Sequence, residues 1–293
     1  MRTQTLLMAP VLALGLALLP GCDKLAGLFG AKPKVVFAPA SEGYAGKPDF
    51  AQLEYQHPIA NAELARVTRR WLEGLTQEEL DQIYARLTAG PIPDGPFDGS
   101  IVMPKGSSGK LRAAEIIGGL KGLAAQLGGK KVEIVGETLW KGKVFYRDQR
   151  VLRNRIEDLA ILRPIVGPGE IPKIDVDGKD AWLLFPAKLY CGQSLLDSRR
   201  ESVIIDYAYT DELPGYRDRI DFLAGRNGLK VRDEIRMVHP GLYLGRAYMD
   251  HVFVLNFILE NKGLADQGRD AFLSGKLGED CWPGTQTRVA AQN

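Results

Sequence analysis

From Val132 onward the apolar residues recur at every second position, in short segments broken by tight turns. The segments are Val132–Thr138, Leu139–Tyr146, Ala181–Tyr190, Ser202–Tyr209, Leu229–Val238, Leu242–Met249 and Val252–Leu259. A period of two belongs to extended backbone, whose successive side chains face opposite sides of a sheet. Asn227-Gly228, Pro240-Gly241 and Asp250-His251 supply the turn chemistry between several of them. Strands joined this closely pair antiparallel, and so many of them curl. Residues 131–293 are therefore predicted to form an antiparallel β-sheet or partly open barrel, followed by a helix at Leu264–Leu273 and a tail.

Upstream the period changes. Leu64, Val67, Trp71, Leu72, Leu75, Leu80, Ile83, Tyr84 and Leu87 recur at helical spacing, and Gly74-Leu75-Thr76 before Glu78-Glu79 reads as a fresh N-cap. Two helices are expected there, with a third at Leu111–Leu127 and a short strand at Gly99–Met103 between them. The fold class is thus α+β, with a helical region over 59–130 ahead of the sheet.

The N-terminus constrains location. Arg2 precedes an apolar run from Leu6 to Leu19 that is short for a membrane span, as expected of a secretory leader over residues 1–21. Its end, Leu19-Pro20-Gly21-Cys22, resembles the lipobox of bacterial lipoproteins, although Pro20 is an unusual residue at its place. The resemblance implies cleavage before Cys22, acylation of that cysteine with palmitate-type chains, and a lipid anchor in the cell envelope facing the periplasm. In enteric lipoproteins an aspartate after the cysteine favours the inner membrane, and Asp23 stands there; the rule differs between bacterial groups, so inner and outer membrane both stay open. Residues 22–58, rich in Gly, Pro, Ala and Lys, read as a flexible tether. Export places the two remaining cysteines, Cys191 and Cys281, in an oxidising compartment, and a disulfide between them is predicted. Two free buried thiols are the alternative.

Functional motifs are few. With 38 basic and 36 acidic residues the chain has no electrostatic signature of nucleic-acid binding. Ser194 in CGQSLLD lacks the second glycine of a nucleophile elbow, and His57, His239 and His251 show no metal-ligand spacing. GSSGK at Gly106–Lys110 departs from a phosphate-binding loop because Pro104 takes the place of its first glycine. No C-x-x-C-H, cysteine cluster or dinucleotide loop is present, so no cofactor is expected. The stretches LWKGKVF and NRI, with the later charged strand and PGLYLGRAY, resemble the GXWXG-type lipocalin-like proteins of unknown function; Trp140, Gly142, Lys143 and Phe145 match the motif, without its first glycine. The resemblance implies a barrel with an internal cavity and implies no enzyme.

Strict alternation isolates one polar side chain per strand. Asp206 lies among Ile204 and Ala208, and Asp233 among Val231, Ile235 and Met237, with Arg232, Glu234 and Arg236 on the opposite, solvated face. Arg246 lies among Leu244 and Tyr248, and Asn256 among Val254 and Ile258. A buried charge requires a partner, so Asp206 or Asp233 is expected to meet Arg246, as a structural ion pair or in a wet pocket. The expected function is binding of a small hydrophobic or amphiphilic, lipid-like molecule by Asp206, Asp233, Arg246, Tyr207, Tyr243, Tyr248, Asn256 and Trp140. Two alternatives are an envelope hydrolase acting on a lipid or cell-wall component, and an assembly factor that binds another envelope protein through an apolar patch around Trp71.

Overall fold

The computed structural model describes residues 32–39, 48–103, 140–159, 170–176 and 178–285. The leader, Cys22, the GSSGK turn, the predicted helix Leu111–Leu127 and the segment Val132–Thr138 lie outside them.

The described residues form nine strands, β1 (Gly95–Val102), β2 (Trp140–Tyr146), β3 (Val151–Ile156), β4 (Lys173–Val176), β5 (Lys179–Gln193), β6 (Glu201–Asp206), β7 (Val231–His239), β8 (Leu242–Met249) and β9 (Val252–Glu260), of which β2 and β5 to β9 match period-two segments and β1 contains most of the expected short strand. Their order is β3-β2-β1-β9-β8-β7-β6-β5-β4, and β5 also pairs with β3. That last pairing closes eight strands into an antiparallel barrel and leaves β4 on the outer edge of β5. Strand β5 serves both sides of the closure, since Lys188 faces Val151 of β3 on one edge and Asp206 of β6 on the other.

Five helices accompany the barrel among the described residues: α1 (Phe50–Gln56), α2 (Asn61–Leu64), α3 (Arg69–Glu73), α4 (Gln77–Ala85) and α5 (Lys262–Leu273). The predicted N-cap is present. The Thr76 hydroxyl accepts from the Glu79 amide and the Glu79 carboxylate accepts from the Thr76 amide, a reciprocal capping box. The single helix expected before it is two short ones, because Thr68 takes an extended conformation and caps Trp71. None of these helices is long and apolar enough to cross a membrane.

Three expectations need correction. The stretch read as a tether is partly folded. Val35 and Phe37 pack on the core, and Asp49 caps α1, which buries Leu53 and Glu54. Strands β3 and β4 escaped the period-two reading, because VLRNRI and KIDV carry too few apolar residues to show it. Finally, the face of β7 assigned to solvent is covered: Glu234 and Arg236 are fully buried. Helices pack over the outside of β6 to β9, so both faces of these strands lie in the interior, as Leu244, Ile258 and Ile204 also show.

One hydrophobic cluster joins the lumen to the helix layer. Inside the barrel Phe97 meets Phe145 and Tyr243 edge to face, at centroid distances of 5.5 and 5.7 Å. Gly245 leaves the space that Phe257 fills, for a Cβ there would lie 2.3 Å from the ring. Cys191 and Cys281 form the predicted disulfide. The segment it secures runs across the link between α4 and β1, where Glu279 accepts from Thr88 and the Gly90 amide and Asp280 accepts from the Ile92 amide.

Candidate functional site

The lumen holds one polar focus among the described residues, built on Lys143. Its Nζ donates to Asn154 Oδ1 at 2.9 Å, Tyr207 OH at 2.8 Å and Asp233 Oδ2 at 2.9 Å. An ammonium has three protons, so all of its donor capacity is used. Strands β2 and β7 are not neighbours in the sheet, and the Lys143–Asp233 ion pair therefore spans the barrel. Both side chains are buried. Burial alone would depress the Lys143 ammonium, but the Asp233 carboxylate and the Tyr207 oxygen outweigh it and hold its pKa above the ordinary lysine value. Lys143 is thus a fixed cation. The rings of Trp140, Tyr207 and Phe257 stand 5.5, 5.4 and 5.2 Å from it and add face contacts to the hydrogen bonds.

A bulge brings Trp140 into this group. Residues 140 and 143 differ in parity and would face opposite sides of a regular strand, yet Trp140 Nε1 and Lys143 Nζ both donate to Asn154 Oδ1. The β2–β3 register slips between Trp140 and Gly142, which restores the common face. Gly142 has φ +139°, and a Cβ there would lie 2.0 Å from the Phe97 carbonyl oxygen, so no other residue fits. The Trp-x-Gly-Lys spacing is therefore a device for aiming an indole and an ammonium at one amide.

Asn154 is the hinge of the site. Its Nδ2 donates to Tyr207 OH at 2.9 Å and to the Phe185 carbonyl at 3.0 Å. Phe185 has φ 50°, a left-handed conformation that costs a non-glycine residue about 1 to 3 kcal/mol. Its other backbone group is held as well, because its amide donates to Asp221 Oδ1 at 2.7 Å. Asp221 is buried and its second oxygen accepts from the Arg217 amide. Desolvation pushes its carboxyl up to about 6.

Arg246 is elsewhere. It points outward from β8 into the layer beneath α4 and pairs with Asp81, while its Nε donates to Tyr248 OH at 2.9 Å and its guanidinium lies 4.3 Å from the Phe253 ring centroid. Burial would lower its pKa, but Asp81 and Tyr248 raise it, so it too stays charged. Tyr248 OH donates to Glu234 Oε1 at 3.0 Å, and Ser194 Oγ donates to the same oxygen at 2.8 Å. Asn256 joins through Gln77, whose amide reaches Asp81. Next to this group Arg236 donates to Ser202 Oγ and to the carbonyls of Tyr84, Asp197 and Arg200. This is a polar layer that docks α4 on the barrel.

Six of the eight predicted residues thus divide between two places. Asp233, Tyr207 and Trp140 converge in the lumen, whereas Arg246, Tyr248 and Asn256 converge under α4. The expected meeting of Asp206 or Asp233 with Arg246 is corrected on both counts. Asp233 faces inward and meets Lys143, and Asp206 lies at the outer surface, where it accepts from Tyr190 OH at 2.7 Å. Tyr243 faces the lumen too, but its hydroxyl donates to the Pro91 carbonyl, away from the Lys143 group. Sequence reasoning missed Asn154, Asp81 and Glu234 as site members and named Lys143 only as part of a motif. The signal for Asn154 was its place opposite Lys143 on the next strand, which required β3 to be recognised.

His239 lies between the carbonyls of Pro240 and Val67 at 2.8 and 3.1 Å, and His251 is exposed. The described acidic and sulfur groups that come within metal-binding distance are Cys191, Cys281 and Glu201, and the two cysteines are committed to the disulfide. No family model matches the sequence, and neither a curated protein nor a solved structure matches it.

Proposed function

We propose that this is a lipid-anchored protein of the bacterial envelope whose lipocalin-like barrel binds one small amphiphile, with the polar head at the Lys143–Asp233 pair and the apolar part along the lumen wall. The observation that carries the reading is the gathering of Lys143, Asp233, Tyr207, Asn154 and Trp140 inside an otherwise apolar barrel. Hydrophobic residues of similar volume stabilise a core as well as a buried ion pair does, so such a pair in a lumen invites a role beyond packing. Eight strands enclose room for side chains and at most one small ligand. Rings of Phe97, Phe145 and Tyr243 fill one region, which favours a ligand position beside Trp140, a partly exposed residue that borders Lys143. The envelope location rests on the leader, the Leu19–Cys22 lipobox and the residues that follow it. The Cys191–Cys281 disulfide supports it, because such bonds persist in oxidising compartments.

Native mass spectrometry of the protein from its own host tests the reading, alongside the double variant K143M/D233L. That variant replaces both charges and is expected to keep a denaturation midpoint near the wild type while losing a co-purified lipid-like molecule. A wild-type protein that flies bare, or a ligand retained unchanged by the double variant, would sink the proposal.

A further inference from the structure

Lys143 and Asp233 balance in charge, but their hydrogen-bonding capacities do not. Lys143 Nζ gives its protons to Asn154, Tyr207 and Asp233 and has none left for a ligand. Asp233 is different. The Lys143 bond ends on Oδ2, and so does that of the Tyr207 hydroxyl, which at 3.5 Å is at the limit of a hydrogen bond. Oδ1 has no hydrogen-bond partner among the described residues. An ionised carboxylate accepts at both oxygens, and leaving one of them without a donor inside a barrel is costly. That oxygen is not sealed in. The Asp233 side chain keeps 6% exposure, and the inward residues beside it are half-buried and apolar. Ala247 stands opposite Asp233 on β8 and Leu255 opposite Ala247 on β9, so the three share the inner face. Val231 precedes Asp233 by two residues on that face. With Trp140 and Phe185, which border Lys143 and Asn154, they leave this end of the lumen more open than the end filled by Phe97, Phe145 and Tyr243.

We infer that the head group taken here is an uncharged hydroxyl that donates to Asp233 Oδ1, so that the ligand is an apolar alcohol, a class that narrows the amphiphile reading and rests on it. The tail then runs along Val231, Ala247 and Leu255 toward the more open end. A carboxylate or phosphate head only accepts; it would meet Asp233 with like charge and find no free proton on Lys143. An ammonium head would donate to Oδ1 but would set a second buried cation beside Lys143, with one carboxylate to balance both. A hydroxyl brings no charge and supplies the missing donor. Its lone pairs also suit the Tyr207 proton, whose acceptor among the described residues is the distant Oδ2.

Calorimetric titration of the full chain with octanol, octanoate and octylammonium, which share one tail and differ in the head, tests this. Octanol is expected to bind roughly tenfold more tightly than either ion, the order of one hydrogen bond to a charged group. D233N removes the carboxylate charge and leaves Lys143 as a net cation, so it is expected to reverse the order in favour of octanoate. Loss of packing alone would weaken all three and would not reverse them. If D233N does not fold, the wild-type order decides by itself. Octanoate or octylammonium binding as tightly as octanol overturns the hydroxyl assignment and leaves the amphiphile reading standing. An octanol preference unchanged in D233N overturns the role of Asp233. Absence of binding by all three compounds, up to their solubility limits, overturns the amphiphile reading together with the assignment.

Discussion

The charge of Asp233, buried on the inner face of β7, is answered by one lysine. Alternation correctly put the carboxylate on the inner face of β7, but the partner came from β2, across the lumen, and not from the adjacent strand β8. Pairwise reasoning along neighbouring strands finds cross-strand partners; it does not find residues that a closed barrel brings face to face. A second carboxylate, Asp221, carries a measurable pH signature. Its folded value of about 6 lies above the ordinary 3.8, so the folded state holds the proton more tightly than the unfolded chain. The stability this contributes is complete below the unfolded value and is lost as pH rises through the folded one. Against D221N, the wild-type margin in urea midpoints is therefore expected to shrink between about pH 4 and pH 6. A margin constant over that window would show that burial does not perturb Asp221.

At the level of elements, α4 shows how far local signals reach. Its start was legible because Thr76 and Glu79 form a capping box by themselves, with no help from the rest of the chain. Its effect on the barrel was not. By covering β7 and β8 it turns Glu234, Arg236 and Arg246 from a surface stripe into a buried layer, and an alternating charged pattern reads the same in both situations. The ladder places Glu234, Arg246 and Asn256 side by side across β7, β8 and β9, and α4 answers with Asp81 and Gln77. Replacing Arg246 by Met strands Asp81 and Glu234 without their shared cation and is expected to cost about 3 to 5 kcal/mol, measured by chemical denaturation. A loss below about 1 kcal/mol, the range of exposed pairs, would mean that solvent reaches the layer. Strand β3 marks the opposite limit. Its inward residue Asn154 and its charged neighbours Arg153 and Arg155 leave no apolar rhythm, so it emerges only when β2 and β5 are seen to need an edge between them.

The whole molecule is secured at its C-terminal end. The Cys191–Cys281 bond closes a loop of 90 residues, and Glu279 and Asp280 fasten the same segment to the link between α4 and β1. Loop entropy of that length corresponds to about 4 to 5 kcal/mol, so reduction and alkylation under native conditions are expected to lower the urea midpoint accordingly. An unchanged midpoint would assign the stability of the segment to its hydrogen bonds alone. The disulfide was legible in the sequence because the two cysteines beyond the expected lipobox have one way to pair with each other. The barrel closure was not, since the ring depends on β5 reaching both β3 and β6.

The pairing of β1 with β9 carries a consequence for biogenesis. A polypeptide is made from its N-terminus, and β1 finds β2 early, but its other edge waits until almost the entire chain has been synthesised. During that interval the nascent protein exposes an open strand edge, which is a template for pairing with other chains. Slow closure of so distant a contact lengthens the exposure. Production of this protein should therefore depend on holdase chaperones more than its folded stability suggests, and truncation before residue 260 should yield aggregates in place of a smaller barrel.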